Sequence, residues 1–275
     1  WSSQNLYTSP ESELTGLSVA RKGTKAVIAY SSKVSGSAHE IGAIGIDTSA
    51  DSVAFGPMAI SESANSLSAA GKPEIEALGS KFAVVWWDKS NQVLRGGFLK
   101  NGAATNRFRY PLERADLSNS QHGETVSLTK LGTGAGLVFP KYKAASSSAL
   151  HYLPIKPSDT GEITRNPTPL TGTGQTNRQP STRAVDSDGD GTPDRLLVVW
   201  AQGAADDPAI MVGQTSLSSP GMLKGERVKG KGENTTTPIV EVSGERAATV
   251  FLDTDGTDNA KYAPLSIDGV PICNP

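Results

Sequence analysis

Gly79-Ser80-Lys81-Phe82-Ala83-Val84-Val85-Trp86 is the stretch that decides the fold: a glycine, then an apolar run that ends in an aromatic ring seven residues later. The same spacing joins Gly23 to Tyr30, Gly132 to Phe139 and Gly244 to Phe251. A fifth run, Leu197-Val198-Val199-Trp200, keeps the ring but lacks the glycine at that distance. Successive rings stand 56, 53, 61 and 51 residues apart. Glycine reaches positive φ without steric cost, so each of the four marks a tight turn between strands.

Working outward, an alternating segment precedes each turn: Leu17-Ala20, Pro73-Glu76, Val126-Thr129, Pro180-Arg183 and Pro238-Glu241. Alternation is the period of a half-buried strand. The ring-bearing runs are apolar on both faces and call for cover on both sides. A return strand follows each, as in Ile41-Ile46, Val93-Leu99, Ala149-Leu153, Ala209-Gly213 and Lys261-Leu265, and a wetter fourth strand closes the unit, as in Asn106-Pro111. Five such units with a period of about 55 residues predict an all-β, five-bladed β-propeller of four-stranded antiparallel blades. The expected domain is residues 1–275, with blades at about 10–65, 66–116, 117–172, 173–232 and 233–275 plus 1–9. The last unit has almost no room for a fourth strand, and the segment Ser3-Thr8 is the expected N-terminal strand that closes the ring.

Composition narrows the function classes. A net charge of −2 leaves no basic footprint for nucleic acid, and no apolar run approaches a membrane span. The single cysteine, Cys273, cannot form an intrachain disulfide and reads as a tail residue or as a bridge to a segment outside this sequence. Trp1 at the start suggests a processed chain. His39, His122 and His151 are scattered, and no nucleophile elbow, zinc helix or phosphate loop occurs.

The fourth unit replaces the glycine turn with Asp186-Ser187-Asp188-Gly189-Asp190-Gly191-Thr192-Pro193-Asp194. Carboxylates at alternating positions followed by glycine suit Ca²⁺, which takes six to eight oxygens. Asp186, Asp188, Asp190 and Asp194 would offer side-chain oxygens and Thr192 a backbone carbonyl. The stretch resembles the calcium loop of FG-GAP-type propeller repeats, akin in pattern to thrombospondin type 3 loops. That resemblance implies a structural Ca²⁺ stapling a turn, in a secreted, extracellular or cell-surface protein. A second acidic cluster, Asp253-Asn259, reads as a solvated turn, with a weak cation site as the alternative.

Two places could hold a ligand. One is the face built by the long loops, rich in Ser, Gly, Asn and Thr, with Trp87 and Tyr142 as apolar platforms. The other is the channel, where the equivalent position of the innermost strands carries Ala20, Glu76, Thr129, Arg183 and Glu241. The leading expectation is a calcium-stabilised, lectin-like recognition or adhesion module that binds carbohydrate or a protein partner through the loop face and is not an enzyme. The first alternative is a channel-centred glycoside hydrolase using the carboxylates Glu76 and Glu241, with Arg183 beside them, although a salt-linked structural plug with Arg183 explains the same residues more simply. The second is a structural domain of a larger processed precursor. Oligomeric state is not encoded in any pattern here.

Overall fold

A computed structural model describes residues 14–35, 38–61, 67–68, 72–88, 93–111, 126–144, 147–203, 208–229, 235–244, 246–253 and 259–272, and these are strand and turn throughout. The strands form five sheets. The first holds β1 (Leu14–Lys22), β2 (Lys25–Ser35), β3 (Ala38–Asp47) and β4 (Ser52–Ala59), with β5 (Leu67–Ser68) paired to β3. The second holds β6 (Glu74–Leu78), β7 (Lys81–Asp88), β8 (Val93–Lys100) and β9 (Ala103–Pro111). The third is β10 (Ser127–Leu131), β11 (Gly134–Ala144) and β12 (Ser147–Ile155), completed, after β13 (Gly161–Glu162) has left it, by β14 (Thr168–Pro169). The fourth is β15 (Asn177–Val185), β16 (Arg195–Gly203), β17 (Pro208–Ser216) and β18 (Glu226–Lys229). The fifth has three described strands, β19 (Thr235–Ser243), β20 (Arg246–Asp253) and β21 (Asn259–Ser266). Consecutive strands of each sheet pair antiparallel, as the repeat predicts, and β13 adds to the second sheet parallel to β9.

The glycine turns form for the reason the sequence gives. Gly23, Gly79, Gly132 and Gly244 have φ of 59°, 56°, 53° and 58°. Each opens a two-residue loop, since Lys22 faces Lys25, Leu78 faces Lys81, Leu131 faces Gly134 and Ser243 faces Arg246. Glycine in the first central position is what a primed hairpin turn needs, and its twist matches that of the flanking strands. In the fourth sheet Val185 faces Arg195, so the whole acidic stretch 186–194 stands where the others spend two residues.

The chain divides into two compact units. Residues 1–112 and 156–165 make one; residues 113–155 and 166–275 make the other. In the first unit Val27, Ala29 and Ile41 of the first sheet pack on Ile75, Val84 and Trp86 of the second. In the second unit Val138, Leu150 and Tyr152 meet Leu196, Val198 and Trp200, while Val199 and Val212 meet Val240, Phe251 and Leu265. All five rings of the repeat are buried, Trp200 to 1% exposure.

Three expectations need correction or fall outside. The cover expected on both faces of the ring-bearing strands holds for β7 but not for β20, where Ala247, Thr249 and Phe251 are buried and Val250 and Leu252 are exposed. Among the described residues its sheet packs on the fourth through the face that carries Ala247 and Phe251. The first sheet is likewise bare on one face of β1, where Leu17 and Val19 (65%) are exposed. Trp87 and Tyr142 are not surface platforms: β7 and β11 run past the ring position and carry both residues into the interior. Ser3-Thr8, Cys273 and positions 254–258 of the second acidic cluster lie outside the described residues. Among the described residues no helix is long and apolar enough to cross a membrane.

Candidate functional site

The first strand of each sheet carries the polar residues singled out by spacing, and the ladders confirm their equivalence. Ala20 faces Val27, Glu76 faces Ala83, Thr129 faces Gly136, Arg183 faces Leu197 and Glu241 faces Ala248, each three residues before the ring. Glu76 is half-buried on β6 and takes part in polar interactions of its own. Glu74, two positions earlier on the same face, lies 3.1 Å from Lys72 Nζ and accepts from Ser18 Oγ at 3.3 Å.

Arg183 and Glu241 meet across β15 and β19. The Arg183 Nε donates to Glu241 Oε2 at 3.1 Å, and Nη2 donates to Oε1. A two-pronged guanidinium–carboxylate contact fixes the orientation of the carboxylate as well as its place. The Glu241 side chain is 68% exposed, so its oxygens are held without being sealed from water. Glu241 also borders an open groove of about 680 Å³, whose other walls are mainly apolar: Val242, Ala247, Pro264, Leu265 and Ile272, with Tyr262 at the rim.

A second set of contacts between first strands escaped the sequence reading. Ser18, Ser127 and Ser181 each face the residue just before the ring, namely Ala29, Val138 and Val199. Each serine Oγ accepts a backbone N–H from the first strand of the following sheet: Ile75 N at 3.3 Å, Thr182 N at 3.0 Å and Val240 N at 3.0 Å. At the Ser127 junction Thr129 joins in, donating to the Thr182 carbonyl at 2.9 Å, and both hydroxyls meet Thr182 Oγ1. The signal was present as three serines five residues from a turn, but serine in a strand is unremarkable without its partner.

The acidic loop brings three of its four predicted carboxylates together. Asp186, Asp188 and Asp190 have oxygens within 4.8 Å of one another. The Gly189 and Gly191 N–H groups donate to Asp186, Asp190 N–H to Asp188 and Thr192 N–H to Asp190. Desolvation works against ionisation of Asp186, but hydrogen bonds from the Gly191 and Gly189 N–H groups, with those to Asp188 and Asp190, together outweigh it and hold its carboxyl below the usual carboxylate range. Asp194 turns away, accepting from the Ser187 N–H and hydroxyl at 2.7 Å each, and these bonds hold its carboxyl low too. The cluster offers a hard oxygen donor set of the kind Ca²⁺ takes, with Asp194 spent on bracing the loop.

One imidazole stands out. His151 of β12 stacks on Phe139, with ring centroids 6.1 Å apart. Burial, aided by the nearby Lys141, pushes it down to about 4 against an opposing hydrogen bond to the Pro167 carbonyl.

No known protein family matches the sequence, and no curated protein does. Solved structures with a similar fold exist. An alpha-L-arabinofuranosidase from Lactobacillus brevis superposes with a TM-score of 0.52 and 12% identity, over 93% of this chain and 92% of that one. An endo-arabinase from Bacteroides thetaiotaomicron gives 0.50 and 12% identity, over 97% and 100%. The chain is thus similar in fold to β-propeller enzymes along nearly its whole length. This overturns the leading expectation of a non-enzymatic, lectin-like recognition or adhesion module. The loop face on which it rested loses Trp87 and Tyr142 to the core, and the similar folds belong to glycoside hydrolases.

Proposed function

We propose that this chain is a glycoside hydrolase acting on an arabinose-containing saccharide, with Glu76 and Glu241 as its working carboxylates. The observation that carries the reading is the coincidence of two facts. The fold is like that of an arabinofuranosidase and an endo-arabinase, and carboxylates project at one register position from the first strands of two sheets. Glycoside hydrolysis needs one carboxyl to protonate the leaving oxygen and another to act as base or nucleophile. Glu241, whose two oxygens both accept from Arg183, suits the second role. Glu76, half-buried on β6, takes the first. Arg183 is then a positioning residue.

The finer architecture belongs to the same proposal. The five sheets are the blades of one five-bladed propeller spanning residues 1–275, with the N-terminal residues supplying the missing strand of the fifth. Five successive sheets built on one turn-and-ring spacing, and a fold similar to that of β-propeller structures along nearly the whole chain, support this. Ca²⁺ held by Asp186, Asp188 and Asp190, with the Thr192 carbonyl and Asp194 completing or bracing the loop, would staple the fourth blade in a secreted protein. Chelation should then lower the melting temperature, following RT ln(1 + [L]/Kd), about 2.7 kcal/mol at a hundredfold excess over Kd.

The deciding experiment is a hydrolysis screen on aryl arabinofuranosides and arabinan. Turnover should fall about 10²–10⁴-fold in Glu76→Gln and in Glu241→Gln while melting stays near wild type. Absence of turnover on the whole panel, or Gln variants as fast as wild type, would remove the assignment.

A further inference from the structure

Trp86 and Trp200 hold the same place in their sheets, the ring that ends the apolar run, and they are exposed to only 2% and 1%. Their indole N–H groups are treated differently. Trp200 Nε1 donates to Asn177 Oδ1 at 3.0 Å, and Gln202 Nε2, two residues further along β16, donates to the same oxygen at 3.0 Å. Trp86 Nε1 is buried without a hydrogen-bond partner among the described residues. Two residues further along β7 stands Asp88, fully buried, an acceptor where Gln202 is a donor. The sequence ahead of β6, Ala69-Ala70-Gly71, has no side-chain amide to take the part of Asn177.

A second buried group shares the layer that Trp86 faces. Ser31 is fully buried, and its Oγ also has no partner among the described residues. Ser31 stands opposite Ile41 in the ladder of β2 and β3, and Ile41 packs with Trp86 in the core between the first and second sheets. Cross-strand partners share a face, and so do residues two apart on a strand, so Ser31, Trp86 and Asp88 all project into that one layer. Arg95, opposite Trp86 on β8, donates from Nε to Asp88 Oδ2 at 2.6 Å. All four residues belong to one compact unit. A carboxylate can accept about four hydrogen bonds, so its pairing with Arg95 does not exclude another donor.

We propose that an ordered water molecule is bound in this layer, accepting the Trp86 N–H and donating to Asp88 and to Ser31 Oγ. It does for the second sheet what the Asn177 amide oxygen does for the fourth. Buried indole N–H groups and hydroxyls are seldom left unpaired, because they cannot recover the water they gave up. The three groups together call for a small partner that accepts once and donates twice. An anion would be set against Asp88, and a cation would be met by the indole N–H. A water making about three bonds satisfies all of them. A saccharide hydroxyl has the same bonding chemistry, but side chains sealed this far from solvent favour water over a larger molecule.

A crystal structure of the full chain, at a resolution that shows ordered solvent, tests this. It should show one isolated spherical peak within about 2.7–3.2 Å of both Trp86 Nε1 and an Asp88 oxygen. In solution, the indole N–H resonance that disappears in Trp86→Phe should show cross-relaxation to a long-lived water, and the peak should be lost from crystals of that variant. Dry density between Trp86 and Asp88, an indole bonded directly to a protein group, or an elongated peak belonging to a larger hydroxyl compound would each overturn the assignment. So would a peak that stays unchanged in Trp86→Phe. The wild-type density decides even where the variant does not fold.

Discussion

Thr182 and Arg183 are neighbours on β15, and they tie that strand to its two flanking strands by opposite means. Thr182 is fully buried against β10, where its N–H and hydroxyl meet Ser127 and its carbonyl and hydroxyl meet Thr129. Arg183 points to β19 and holds the exposed Glu241 in a charged fork. A buried neutral network is costly to leave half-made, because a donor or acceptor stripped of its partner cannot recover water. An exposed ion pair is worth little to stability, typically well under ~1 kcal/mol, since water and salt do nearly as well. One junction is sealed from water; the other holds a carboxylate in the open.

The comparison breaks most visibly at the buried junction. Thr182→Val removes the hydroxyl that Ser127 and Thr129 share and should cost about 1–3 kcal/mol in chemical denaturation, the range for an orphaned buried polar group. Ser127→Ala strands the Thr182 N–H and should cost a similar amount. In the double variant the two losses should fall short of additive, because both act on one network. Strict additivity, or a cost near zero for either single change, would make the junction no more than a contact.

Acid offers a second probe of the same unit. The neutral hydroxyl network has nothing to titrate, whereas His151 does. Its folded value of about 4 lies below the ordinary 6.5, so the unfolded chain binds more protons through that window. Stability is therefore at its full value above 6.5, declines as pH falls, and stops declining below about 4. With the exposure of the half-buried ring discounted, the loss should be about 1–2 kcal/mol. His151→Phe should flatten melting temperature against pH across that window, while Thr182→Val should shift the whole curve down without changing its slope. A slope that survives in His151→Phe would move the titration to other groups.

The two junctions also differ in how far the sequence announces them. Gly23, Gly79, Gly132 and Gly244 are legible because a positive φ is a local demand that one residue type meets cheaply, and the rings legible because burial recurs with the repeat. Arg183 and Glu241 were found as equivalents by counting from those landmarks. Ser127 and Thr182 were not, because a hydroxyl bonding to a backbone on another sheet leaves no mark in either strand's own pattern. Trp87 and Tyr142 misled for a related reason: an aromatic residue just past a strand looks like a loop platform until the strand is seen to continue. The parallel pairing of β13 with β9 has no local signature at all, since it depends on an edge about fifty positions earlier. The acidic loop was legible as a loop and as an oxygen cluster, but not the turning of Asp194 toward Ser187, which depends on how the loop closes.

The smallest expected effect is the most telling about the charged junction. Arg183→Met should change stability by no more than about 0.5 kcal/mol, because the pair is exposed and loses only a screened attraction. If Arg183 exists to orient Glu241, the same substitution should lower hydrolysis of an arabinofuranoside by about tenfold or more, given that misplacing a reacting group by ~1 Å can cost 10²-fold. Arg183→Lys should recover charge without the fork and restore only part of the rate, since a point charge does not impose the bidentate geometry. Raising salt should mimic neither substitution in turnover, since a screened attraction can still leave two hydrogen bonds in place. A stability loss as large as that of Thr182→Val, with turnover untouched, would invert the assignment and make Arg183–Glu241 a structural tie like its buried neighbour.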